Sequence, residues 1–262
     1  MPEGDTVWRT AHELHRALSG VTLVRAELRV PELATTELTG CLVREVVPRG
    51  KHLLARLDND RTLHSHLGMD GAWRVRAVGQ RPAGGPAHEL RAILGTRTRT
   101  AYGYRLRRLE LLPTAWEDRA VGHLGPDLLS TCFDAHEATR RLCSDPSRAL
   151  GEALLDQRNV AGIGNVYRSE LCFLARLRPD AAVGDLADPA SLLALARRLL
   201  ASNRNQLARS TTGERQRGRM LWVYGRAHRP CLRCGTPIQT GQLGPAPERR
   251  VAYWCPRCQP KS

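Results

Sequence analysis

The chain has 262 residues, 42% of them hydrophobic, with 40 basic against 26 acidic residues for a formal charge of +14. That apolar share excludes a disordered polyelectrolyte, and the length accommodates two or three small domains. No run of about 18 uncharged apolar residues occurs and the opening MPEGDTVWRT lacks the apolar core of a signal peptide, so the expectation is a cytoplasmic protein without a membrane span.

In chain order, Thr6–Leu18 places Val7, Ala11, Leu14 and Leu18 at helical spacing, with Asp5 as N-cap and Gly20 past the end. Strand-like segments follow at Val21–Val30, Leu42–Val47, His52–Leu57, Ala72–Val78, Glu89–Leu94 and Leu106–Leu112, punctuated by Gly and Pro. A hinge falls near Leu112–Leu124. The period then changes, and Ala135–Cys143, Ser147–Gln157, Val166–Ala175 and Ala190–Leu207 read as helices bounded by Pro146, Pro179 and Pro189. The last forty residues are rich in Gly, Pro and Cys. The expected class is α+β, in three zones: residues 1–115 (β), 122–222 (α) and 223–259 (a small cysteine module).

Four of the eight cysteines stand as Cys231-x2-Cys234 and Cys255-x2-Cys258, with twenty residues between the pairs. Each Cys-x2-Cys turn aims two sulfurs at one ion, so this spacing predicts a four-thiolate zinc site. Four protein ligands leave no open position, which makes the zinc structural. Cys41, Cys132, Cys143 and Cys172 are expected to be small core residues. Arg249 and Arg250 lie on the hairpin between the pairs, where a groove-reaching contact and a solvated charge pair are equally open.

The excess charge calls for an anionic partner, with nucleic acid the default because phosphates bind whatever the base sequence. Only Lys51 and Lys261 of the 40 basic residues are lysines, a bias that a GC-rich genome also produces. Within the helical zone, Asp156-Gln157-Arg158-Asn159 precedes Gly162-Ile163-Gly164-Asn165. Two glycines permit close backbone approach, and Asn165 at the N-cap of the next helix leaves unpaired N–H groups for an anion, with Arg158 and Arg168 flanking. An ordinary helix connection explains the same pattern.

Met1-Pro2-Glu3-Gly4, Arg49-Gly50-Lys51-His52, the segment Ser65–Gly71 (SHLGMDG), Gly125-Pro126-Asp127, GIGNVYRSE from Gly162 to Glu170, and Val223-Tyr224-Gly225-Arg226 before the four cysteines occur in that order. Together they resemble the formamidopyrimidine-DNA glycosylase/endonuclease VIII family over essentially the whole chain. The resemblance implies an N-terminal β-sandwich with a flanking helix, a helix–two-turn–helix domain and a C-terminal zinc hairpin, with damaged DNA bound in the cleft between the domains. It further implies a monomer on the nucleoid that acts as a bifunctional glycosylase and abasic-site lyase in base excision repair, cutting by β,δ-elimination.

The implied residues follow by position. Once Met1 is removed, Pro2 has a free secondary amine with a pKa near 8, so a useful fraction is neutral and nucleophilic. Glu3 is the implied general acid, and Lys51 the phosphate contact and proton donor in elimination. Arg250, five residues before Cys255, is the arginine that grips phosphates around the flipped nucleotide, and Asn165 binds phosphate in the two-turn motif. Met69 is the wedge that fills the gap left by the flipped base.

The chain departs from the family pattern in places. Asp5 and Thr6 stand where proline and a second glutamate are usual, Gly68 where endonuclease VIII relatives often have glutamine, and His123 where some have a DNA-contacting arginine. Arg97–Arg108 lacks the arginine–phenylalanine pair of the purine-specific branch, and the segment Leu207–Val223 is too short for that branch's base-capping loop. Both features favour oxidised pyrimidines as substrates. A purine-directed glycosylase and a non-catalytic zinc-dependent DNA-binding protein are the alternatives.

Overall fold

The computed structural model describes residues 2–82, 84–246 and 249–261. It divides into two compact units, residues 1–123 and 124–262.

The first unit opens with α1 (Gly4–Leu18), which buries Val7, Ala11, Leu14 and Leu18 along one stripe, as the spacing predicts. The helix starts two residues earlier than expected. Glu3, not Asp5, holds the N-cap, and Asp5 lies in the first turn, its carboxylate accepting the Thr6 amide at 2.7 Å. Two antiparallel sheets complete the unit. One runs β1 (Val21–Thr22), β3 (Leu42–Arg49), β4 (His52–Leu57), β5 (Arg61–His66), β9 (Arg108–Pro113); the other runs β2 (Arg25–Leu28), β7 (Leu90–Gly95), β8 (Arg99–Tyr104), β6 (Ala72–Ala77). Strands β5 and β8 escape the sequence reading, and Val21–Val30 breaks into β1 and β2.

One core joins α1 to both sheets, with Leu53, Leu63, Leu67, Trp73 and Leu94 among its members. Each such leucine contributes about 1.5–3 kcal/mol when fully buried. Alternation along β5 puts Leu63 into this core and Thr62, His64 and His66 on the opposite face. That face is polar yet covered. Arg56 binds Glu45 at 2.6 Å and Glu117 at 2.7 Å, and Thr62 donates to Glu117 at 2.6 Å. Glu117 begins α2 (Glu117–Val121), a short helix inside the segment read as a hinge.

The second unit packs α3 (Ala135–Leu142), α4 (Leu150–Leu155), α5 (Asn165–Leu174) and α6 (Pro189–Asn203) around Leu128, Leu150, Tyr167, Leu171 and Leu200. Helix α4 is shorter than predicted, and α6 stops four residues early. The hairpin β10 (Gln239–Leu243) and β11 (Arg250–Trp254) follows, in register from Gln239 opposite Trp254 to Leu243 opposite Arg250. A further core, of Phe173, Val223, Cys231, Ile238 and Cys255, joins α5 to the cysteine module. Buried Glu170 secures the same junction. Its carboxylate accepts the amides of Trp222, Val223 and Tyr224 at 2.8, 2.9 and 2.9 Å, and the Thr211 hydroxyl. Burial pushes its pKa up, and these four donors pull against that shift.

Candidate active site and nucleic-acid interface

Pro2 stands immediately before α1, whose N-terminus carries partial positive charge that favours a neutral amine there. Glu3 is completely buried, and its carbonyl accepts the Val7 amide at 3.0 Å to open the helix. Its placement is therefore set by backbone as well as by packing. Thr6 stands where a second glutamate is usual, and the neighbouring Asp5 is buried in the first turn with its carboxylate turned onto Thr6.

Lys51 lies in the two-residue turn between β3 and β4, closed by the pair Arg49–His52. Gly50 has φ +56° while Lys51 stays at negative φ, the arrangement of a II′ hairpin with glycine first. Lys51 is near enough to His66 to help hold that imidazole down, at about 4, after burial itself. His66 leads into the Leu67–Gly71 loop. Met69 sits on that loop and is 57% exposed, an apolar side chain in solvent rather than in the core. Gly68 has φ +65°, and a Cβ there would stand 2.8 Å from the Arg107 Cβ. The left-handed backbone and the Arg107 side chain together favour glycine here over the glutamine of the relatives.

In the second unit, Gly162 adopts φ +109° and Gly164 takes the N-cap of α5, so Asn165 opens the helix rather than capping it. Gln157 folds the turn, its amide donating to the carbonyls of Leu155 and Ile163 at 2.8 and 2.9 Å and accepting the Gly162 amide at 3.1 Å. The Asn165 side chain donates to the Val251 carbonyl on β11 at 2.9 Å. Arg168 donates to the same carbonyl at 2.8 Å and to the Asn165 side-chain oxygen. Arg168 is fully buried, so it clamps the hairpin to the turn and is not a surface phosphate ligand. Arg158 is exposed and paired with Asp156 at 2.7 Å. That pairing, with Arg148 beyond it, holds the Asp156 carboxyl well below its usual range.

Arg250 begins β11 and is exposed. With Arg148, Arg158, Asp156, Gln157 and Gly244 it lines a cavity of about 410 Å³. The structure therefore brings Arg250 and the two-turn segment to one basic concavity. Pro2, Glu3, Lys51 and Met69 belong to the first unit, and Asn165, Arg250 and the cysteines to the second.

The sulfurs of Cys231, Cys234, Cys255 and Cys258 all lie within 4.8 Å of one another. Cys231 and Cys258 are 3.9 Å apart, and Cys234 and Cys255 3.4 Å. Tetrahedral zinc with sulfurs at ~2.3 Å needs sulfur pairs about 3.8 Å apart, so the donor set fits that ion and these pairs are far too long for disulfides. The Cys234 thiol is drawn down to about 6, chiefly by Thr236, while burial and its thiol neighbours push Cys258 up to about 12. Four thiols this close require a cation to ionise together. Of the remaining cysteines Cys172 is buried, whereas Cys132 is exposed and is not the core residue expected.

Sequence reasoning missed His64, Glu110, Glu117 and Glu170. The Ser65–Gly71 motif adjoins His64, but nothing in one sequence pairs it with Glu110.

A two-sheet unit opening on Pro-Glu and a helix–two-turn–helix unit clamped to a four-cysteine hairpin define a DNA-glycosylase fold. The family profile described as formamidopyrimidine-DNA glycosylase N-terminal domain matches residues 1–108, and that for its H2TH domain matches residues 124–203. The chain is 59% identical to a "Probable endonuclease 8 2" of Streptomyces coelicolor, over 99% of this chain and 94% of that protein. It is 48% identical to the "DNA-(apurinic or apyrimidinic site) lyase Nei2" of Mycolicibacterium smegmatis, over the full length of both. Among solved structures, Lactococcus lactis Fpg in complex with DNA containing an oxidized pyrimidine superposes with a TM-score of 0.82 at 26% identity, covering 99% of this chain and 100% of that one. The same protein bound to abasic-site DNA gives 0.81 at 25%, with the same coverage. The chain belongs to the formamidopyrimidine-DNA glycosylase/endonuclease VIII family.

Proposed function

We propose that this DNA glycosylase and abasic-site lyase of DNA repair works through the amine of Pro2, exposed by loss of Met1, and removes oxidised pyrimidines in preference to purines. The observation that carries this reading is the start of α1, where a proline stands at the positive end of a helix beside a completely buried carboxyl, Glu3. The amine attacks C1′ of the damaged nucleotide, and the base leaves with a proton. Glu3 protonates the sugar ring oxygen as the C1′–O bond opens, which leaves an iminium. The iminium acidifies the 2′ protons; loss of one expels the 3′ phosphate, and a second elimination expels the 5′ phosphate. Lys51 contacts phosphate and supplies a proton during elimination. Asn165, which keeps a second amide proton beyond its bond to Val251, and Arg250, exposed in the basic cavity, hold phosphates around the flipped nucleotide. Met69 fills the vacated stack.

Cys231, Cys234, Cys255 and Cys258 hold zinc, which when bound fixes the hairpin that carries Arg250. The partner is damaged DNA, bound by a monomer on the nucleoid. Among the described residues no helix is long and apolar enough to cross a membrane. The pyrimidine preference is supported by the segment before Trp222, which is short and is tied down through Thr211 to Glu170 and through Ser210 to Asn203.

The test is borohydride trapping on a duplex with one abasic site, beside intact-mass analysis. The expected result is a covalent adduct on a chain that begins at Pro2, with thymine glycol released faster than 8-oxoguanine. Absence of an adduct from protein that has lost Met1 overturns the amine mechanism, and faster purine release overturns the preference.

A further inference from the structure

The polar face of the five-stranded sheet carries a histidine cluster that the chemistry above leaves unused. Register sets His52 opposite His66 and His64 opposite Glu110. His64 is fully buried. Its Nδ1 lies 2.7 Å from Glu110 Oε1, and its Nε2 lies 2.7 Å from Nδ1 of His52. The His52 ring stands 5.0 Å from that of His66 and 6.3 Å from that of His123, edge-on to both.

The proton positions follow from the partners. A carboxylate only accepts, so His64 carries its proton on Nδ1 and leaves Nε2 bare. That nitrogen then accepts from Nδ1–H of His52, whose own Nε2 is left bare. The assignment needs neutral rings, and burial supplies them. It holds His64 low against the pull of Glu110, and holds His52 at about 3 with help from His64, His66, His123 and Arg108. Packing alone asks for no such chain, since a β-branched side chain fills a covered sheet face without desolvating an imidazole.

We propose that Glu110, His64 and His52 form a positioning relay for Lys51. His52 is the first residue of β4 and directly follows Lys51, so a fixed His52 ring fixes the strand end from which the Lys51 turn departs. Neutral rings also place no further cation beside the lysine ammonium. Glu110 anchors the far end on β9, where Arg108 stands 3.6 Å from its carboxylate. The relay rests on the reading of Lys51 as the elimination residue. Its members act on Lys51 through the turn that His52 closes.

The experiment is single-turnover cleavage of a preformed abasic-site duplex by zinc-loaded protein, using wild type, Lys51→Ala, His64→Phe and the double variant. A misplaced catalytic group costs up to about 100-fold, so His64→Phe alone should slow cleavage ~10- to 100-fold. On the Lys51→Ala background it should cost less than about twofold, because interacting sites are non-additive. An equal loss on both backgrounds makes His64 merely structural and overturns the relay. A wild-type rate for Lys51→Ala overturns the Lys51 reading itself, and the relay with it. Glu110→Gln repeats the cycle at a partly exposed position if His64→Phe does not fold. Nitrogen-15 NMR of the imidazoles gives an independent readout. His64 and His52 should both be Nδ1–H at pH 7, and an Nε2–H form of His52 overturns the assignment.

Discussion

Glu170→Gln should destabilise the second unit far more than its size suggests. Oε1 accepts the amides of Val223 and Tyr224, and Oε2 accepts the Trp222 amide and the Thr211 hydroxyl. A glutamine keeps one oxygen. If that oxygen serves Val223 and Tyr224, the new NH2 group faces a hydroxyl, which can rotate to accept, and the Trp222 amide, which cannot. One buried N–H is orphaned at about 1–3 kcal/mol, and two charge-assisted bonds become neutral ones, worth roughly half as much. The sum is about 2.5–6 kcal/mol. For a unit of this size 1 kcal/mol moves Tm by roughly 3–6 °C, so calorimetry of the zinc-loaded variant should show a fall of roughly 8–36 °C in the transition of the second unit. The other flip orphans Val223 and Tyr224 together and is worse. A loss below about 0.5 kcal/mol would refute the reasoning, because it would mean that water already serves these amides.

Zinc removal, by chelation or by Cys234→Ser, should abolish DNA binding in fluorescence anisotropy and lower the stability of the helical part, because Phe173 shares a core with Cys231 and Cys255; unchanged affinity after stoichiometric metal loss would refute this. Circular dichroism should show the N-terminal sheets intact in the same sample. Gly68→Gln should cost about 1–2 kcal/mol from the left-handed backbone alone, and more from the Arg107 clash, read as a lower melting temperature of the first unit; an unshifted melt would show that the loop adapts. The first unit should also weaken in acid. His52 and His66 are held at about 3 and about 4 when folded, below the ~6.5 of the unfolded chain, so the unfolded state binds more protons between those values. Stability is therefore full above pH ~6.5 and falls as the pH drops toward 4, and a urea midpoint that is level from pH 7 to 5 would contradict it. Pro2→Gly should strongly slow strand cleavage, and Glu3→Gln should slow base release while sparing cleavage of a preformed abasic site; equal loss of both steps would make Glu3 structural.

Much of the fold was legible because its signals are local. The apolar spacing of α1, the Cys-x2-Cys pairs and the two glycines before Asn165 each act within a few residues, and each appears where the spacing put it. Strands β5 and β8 were hidden for a physical reason. Arg61–His66 alternates between core and a polar face that is itself covered, so its histidines look like loop residues until β4, β9 and α2 are laid against them. Arg168 misled in the opposite way. A charged residue beside a glycine turn suggests a phosphate, but its partner is a carbonyl 83 residues further on. Pro2 and Glu3 are placed by the start of one helix, whereas the Glu110–His64–His52 chain exists only through strand register. Adjacent positions announce themselves in a sequence, and paired strands do not.

The clamp on Val251 has a consequence for how the hairpin can vary. Asn165 and Arg168 grip the carbonyl of that residue and ask nothing of its side chain, which is partly exposed. The constraint is on count rather than identity. Successive carbonyls of a strand point in opposite directions, so sliding β11 by a single residue would turn the gripped oxygen toward β10 and leave both donors facing the wrong side. The spacing from Val251 to Cys255 therefore behaves as a ruler: the gripped position tolerates substitution, and the segment does not tolerate insertion.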